Sequence, residues 1–222
     1  MGQPLSTSVA SAPPHPVHRP SPDDEVSRGE TPVTFGRAVT LNIAVVAAYV
    51  VAATIGFRLA FVAEQITTVW APTGIAIAAL YVGGLRFAPA IWVGALIVNL
   101  GSDAPPWTAF IIATGNALEA VTAVWWLRKS RRFEPTFQRI GDVLAFVLVA
   151  AVACTAISAT LGVAALALAG VQSWSRFPVL WLDWWLGDAL GAVVVAPAIL
   201  IALNRTWSKT EVIQASAWMA GS

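Results

Sequence analysis

Trp181-Leu-Asp-Trp-Trp-Leu-Gly-Asp-Ala-Leu-Gly-Ala-Val-Val-Val-Ala-Pro197 is an apolar run that carries two carboxylates and a Gly-x-x-x-Gly spacing. In a soluble protein it would be ordinary core. In a bilayer, an acidic side chain at helix centre costs roughly 2.5 to 3.5 kcal/mol even on the lenient insertion scale, so Asp183 and Asp188 require a polar partner or a hydrated interior. The composition decides for the bilayer: 57% of residues are hydrophobic and 11% charged, against about a quarter charged in soluble domains. Mean hydropathy is +0.71. The chain reads as an all-α, polytopic membrane helical bundle.

Working outward from that stretch, further apolar runs fall at about 38–62, 72–84, 87–101, 107–127, 141–170 and 178–203, near the ~20 residues that a crossing requires or somewhat short of it. This predicts about six transmembrane helices. The run beginning at Val212 reads as the start of a truncated seventh. Residues 1–36 hold half of the 14 prolines and no apolar run, and read as a disordered cytoplasmic tail. The expected organisation is therefore a 1–36 tail, a 37–209 membrane domain and the opening of a further helix at 210–222. The run at 141–170 is longer than a bilayer core needs, and Ser158, Thr160 and Gly162 are its expected weak point.

Basic residues set the orientation. With the N-terminus cytoplasmic, Arg37, Arg86, the Arg128 to Arg139 loop, Arg205 and Lys209 fall inside, leaving Arg58 and Arg176 near the outer face. Trp70, Trp107, Trp174 and Trp181 then mark the outer interface. The net charge of +1 is gathered in these loops and gives no support to nucleic-acid binding. One cysteine, Cys154, excludes an internal disulfide, and both histidines lie in the tail, so no metal centre or cofactor is expected. Neither a Ser/His pair nor a Gly-rich phosphate loop is present, so the chain is not expected to be an enzyme.

Polar residues within the apolar runs form the candidate site. Asn116 and Glu119 share a stripe of the fourth run with Ile112 and Gly115, while Asn99 lies with Trp92 and Ala95 on the third. Trp184, Asp188 and Gly191 align on the sixth, and Trp70 and Thr73 open the second. By helical rise these groups lie in the outer half and the middle of the bundle, Asp188 about 15 Å and Glu119 about 18 Å from the outer helix ends. A polar, ligand-binding cavity lined by Trp70, Thr73, Asn99, Asn116, Glu119, Trp184 and Asp188 is one reading. Interhelical hydrogen bonding without a ligand is the other. Asp183 is shallow enough to pair with Arg58, and Asp142 is placed as a favourable charge at a helix N-terminus beside Arg139.

Trp70-Ala-Pro-Thr-Gly74, Gly84-Leu-Arg-Phe-Ala-Pro89, Asn99, Gly115-Asn-Ala-Leu-Glu-Ala120, Asp142 and the Trp181 to Gly191 stretch with Pro197, taken in order, resemble the MASE1 domain. The resemblance covers about residues 38–205. It implies a bacterial integral-membrane sensory module of about eight helices, commonly N-terminal to histidine kinases or diguanylate cyclases. A lipid bilayer, a small ligand, a cytoplasmic signalling domain in cis or in trans, and a second copy of the chain are the partners it suggests, with the bacterial inner membrane as location. Transport of a small molecule and a non-sensing membrane anchor are the alternatives.

Overall fold

The computed structural model describes residues 35–62, 69–130 and 133–204, and these residues form six helices and no strand. Expectations for the N-terminal tail, Arg131, Arg132, Arg205, Lys209 and the seventh apolar run lie outside the described residues. The helices are α1 (Phe35–Val62), α2 (Ala71–Gly83), α3 (Ala88–Leu100), α4 (Pro106–Lys129), α5 (Ile140–Leu168) and α6 (Phe177–Asn204). One-turn 3-10 segments, Leu85–Phe87 and Trp174–Arg176, lead into α3 and α6.

Four of the six, α1, α4, α5 and α6, are long and apolar enough to cross a bilayer. The other two, α2 and α3, have 13 residues each, which is about 20 Å of helix against a ~30 Å core. The expected six crossings are thus four full-length helices and two short ones. Proline opens four of them, Pro72, Pro89, Pro106 and Pro178 sitting in the first turn where no N–H is needed. Gly84, at φ +84°, makes the left-handed turn that ends α2 and releases the chain towards α3.

The short helix α2 starts in an unexpected place. Trp70 donates its backbone N–H to the carbonyl of Gly187 at 2.9 Å, and Gly187 lies ten residues, about 15 Å, past the start of α6. Trp70 is therefore not at the level of the α6 N-terminus with Trp174, as the sequence suggested, but more than a third of the way along that helix. Glycine makes this possible. A Cβ on Gly191 would lie 2.0 Å from the Trp70 carbonyl oxygen, and one on Gly74 would lie 2.4 Å from the Gly191 carbonyl oxygen. The Gly-x-x-x-Gly of α6 is the bed on which α2 is laid, and α2 then runs alongside α6 to end near the α4 C-terminus. There Arg128 donates to the carbonyls of Tyr81 and Leu80, the last turn of α2.

Tyr81, Phe133, Phe137 and Phe146 cluster at this basic end with centroids 5.3 to 6.5 Å apart, edge to face except for the near-parallel Phe133–Phe146 pair. Asp142, in the first turn of α5, accepts from Arg139 Nε at 2.8 Å and from the Glu134 backbone N–H at 3.2 Å. Helix α5 is not uniform: Phe146–Cys154 is π-helical, and the α form resumes at Thr155. Its buried positions Asp142, Phe146, Ala150 and Cys154 recur every four residues, a spacing that drifts about 40° per step on a 3.6-residue helix. The wider π turn keeps them on one side. The irregularity therefore falls before Ser158, Thr160 and Gly162, and not on them. Outward, Val51, Ile55, Leu148, Val179 and Val194 are exposed, an apolar surface suited to lipid.

Replacing Gly191 by alanine should destabilise the bundle by about 3 kcal/mol or more, since the new methyl meets backbone that cannot rotate away. Gly141→Ala, with nothing within 4 Å of the added Cβ, should cost nothing measurable. Denaturant unfolding of the two variants in detergent checks the contrast.

Candidate functional site

The start of α2 on α6 brings one hydroxyl to one carboxylate. Thr73 Oγ1 donates to Asp188 Oδ1 at 2.9 Å. From α5, Ser158 Oγ donates to Asp188 Oδ2 at 2.5 Å and accepts from Trp184 Nε1 at 3.2 Å. Two glycines set these distances. Gly162 lies under the Trp184 ring, where a Cβ would come within 2.6 Å of it, and Gly115 lets α4 approach the Ser158 backbone, its virtual Cβ 3.3 Å from Ser158 Cα. One turn further along α4, Glu119 is carried to the same place. Glu119, Ser158 and Asp188 are each 1% exposed.

Both carboxyls adjoin the Thr73 and Ser158 hydroxyls and each other. Each hydroxyl has a single proton, and both protons go to Asp188. Glu119 is left without a donor: its Oε1 and Oε2, together with Asn116 Oδ1, accept no hydrogen bond among the described residues. An unsatisfied buried acceptor costs about 1 to 3 kcal/mol. Among the described residues the ion pairs are those of Arg139 with Glu134 and Asp142, and no cationic side chain reaches the cluster. Two adjacent carboxylates about 4 Å apart repel by roughly 4 kcal/mol even at an effective dielectric constant of 20. The pair must hold a proton or a bound cation in place of its second charge.

The structure brings together Trp70, Thr73, Asn116, Glu119, Trp184 and Asp188. It adds Ser158 and Tyr49, whose neighbours are Trp70, Asn116 and both carboxyls. The sequence signal for Tyr49 is a stripe of α1, Tyr49, Ala53 and Gly56, whose inward side is otherwise small residues, and all three are buried. Asn99 stands apart: it is half-buried and donates Nδ2 to the Ala95 carbonyl of its own helix at 2.8 Å. Its neighbour on the stripe, Trp92, instead reaches α4 through Thr114, Nε1 to Oγ1 3.1 Å. Arg58 and Asp183 are both exposed, and no ion pair joins them. No three His, Cys, Asp or Glu side chains are gathered among the described residues.

A protein-family model described as MASE1 matches residues 41–218, most of the chain and every helix of the bundle. The chain belongs to the MASE1 family. MASE1 domains are membrane-associated sensory modules, and a bundle with four bilayer-length helices around a polar centre fits that description. No curated protein and no solved structure matches the chain.

Ser158→Ala removes a donor from Asp188 and the acceptor of Trp184 together, and should lower stability by about 1 to 3 kcal/mol. Asn99→Ala, losing a bond within its own helix, should cost less than about 1 kcal/mol. Equilibrium unfolding followed by tryptophan fluorescence compares them.

Proposed function

We propose that the Glu119–Asp188 cluster is the signal-receiving site of this MASE1 domain. A small polar ligand or ion taken up there favours one of two helix arrangements, and α6 carries the difference to a cytoplasmic output of histidine kinase or diguanylate cyclase type, in cis or in trans. The observation that carries this reading is the buried carboxyl of Glu119 with no donor among the described residues, beside a second carboxyl that has two. A cluster built only to join helices would leave neither oxygen of its most costly residue unpaired.

The relay has a physical route. Asp188 and the Gly187 carbonyl tie α6 to the start of α2, so a change of charge at the cluster acts on both helices at once. Pro197, inside α6 between the cluster and its C-terminus, cannot donate a bond to the Val193 carbonyl and leaves that segment pliable. A ligand biases such an equilibrium only by its difference in affinity for the two arrangements. The basic residues Arg86, Arg128, Lys129 and Arg139 support a cytoplasmic location for that end, hence a cytoplasmic N-terminus and residence in the bacterial inner membrane. Catalysis would belong to the output module, and a second copy of the chain is the natural partner where that module works as a dimer.

A transport reading has one observation in its favour, a short helix whose N-terminus begins beside a carboxylate more than a third of the way along a long one, as discontinuous helices do in secondary transporters. Uptake of labelled metabolites into vesicles containing this chain alone would decide for it.

Fused to a diguanylate cyclase, the wild-type domain and its Glu119→Gln and Asp188→Asn variants should differ in output by fivefold or more under at least one growth condition. Identical output from all three under every condition removes the cluster from signalling.

A further inference from the structure

The three acceptors left unpaired at the centre of the bundle specify more than a site. Asn116 Oδ1 and the two Glu119 oxygens come from positions three apart on α4, so they lie on the same face. The hydroxyls nearest to them already donate to Asp188. A proton on Glu119, donated to Asp188, would serve one of the three oxygens and leave two as they are. A bound water would serve two but bring no charge to a pair of adjoining carboxyls. A small positive species answers both requirements, because it is attracted by all three oxygens and stands in for the missing counter-charge.

We infer that Glu119 and Asn116 bind a small monovalent cation, an alkali metal ion or an ammonium-type head group, at the centre of the bundle. A charge of one fits because both Asp188 oxygens already accept from hydroxyls, leaving Glu119 as the carboxylate free to coordinate, and among the described residues no third acidic or imidazole group joins it. Calcium, with its six to eight oxygen ligands drawn largely from carboxylates, is poorly served by this set. The head group is small because Ile112, Gly115 and Ala120 bury the same segment of α4 against its neighbours. Tyr49, adjoining Asn116 from α1, is the candidate for a further oxygen ligand. The inference rests on the cluster being a receiving site and names what it receives.

The test uses the full chain in nanodiscs at constant pH and ionic strength, with N-methyl-D-glucamine chloride replaced stepwise by sodium, potassium or methylammonium chloride. Melting temperature should rise saturably, by about 5 °C, with at least one of the three. Sodium or potassium against methylammonium separates a metal ion from an amine. Glu119→Gln, of nearly the same shape, should abolish the dependence, and Asn116→Ala should raise the half-saturating concentration about tenfold. Equal melting temperatures in all four salts, or an equal rise in Glu119→Gln, overturns the inference. Cation dependence in a domain whose fused output ignores Glu119→Gln would overturn the signalling role and leave the binding site standing. Altered output with no cation dependence would do the reverse.

Discussion

Asp188 sets the terms for the rest of the bundle. A carboxyl in the middle of an apolar helix has no water to solvate it, so the fold must deliver hydrogen bonds to it from other helices. It does so from two directions. Thr73 comes from α2, which can reach α6 only because Gly74 and Gly191 lack side chains, and Ser158 comes from α5, held by Trp184 lying on Gly162. The close packing of α2, α5 and α6 and the solvation of one acid are therefore the same arrangement. Small residues allow backbones to approach, and the approach brings hydroxyls within reach.

The division of donors between the two acids follows from the same arrangement. Hydroxyls on α2 and α5 bracket the carboxyl of α6, while Glu119 enters from α4 after those protons are committed. Two acids of similar burial thus differ in kind, one solvated by the protein and one not. That asymmetry follows from the number of protons a hydroxyl has.

Much of this could be read from the sequence. The six helices begin and end within a few residues of the apolar runs, because proline at helix starts and glycine or charge at helix ends are local signals. Six of the seven proposed cavity residues meet in space, since burial cost alone selects polar groups within apolar runs. The rest was not legible there. Periodicity fixes which face of a helix is polar but not its height against a neighbour, so the descent of Trp70 to the level of Gly187 was not visible. Asn99 satisfied itself on its own helix, an option always open to a side chain with a carbonyl one turn behind. Ser158 and Gly162 read as weakness in α5, whereas they serve contact with α6.

The π-helical stretch of α5 bears on this in another way. One turn of π-helix takes up a residue more than a turn of α-helix, so the halves of α5 on either side of Phe146–Cys154 are offset in angular phase. Ser158 faces Asp188 only in this winding. Trp185 of α6 donates its indole N–H to the Val152 carbonyl at 2.9 Å, holding one of the carbonyls that the looser coil turns outward. Rewound as an α-helix throughout, α5 would swing its second half by about 100° per residue absorbed and carry the serine hydroxyl off the acid. The hydration-like shell of a single carboxyl and the pitch of a neighbouring helix are in this way one mechanical variable.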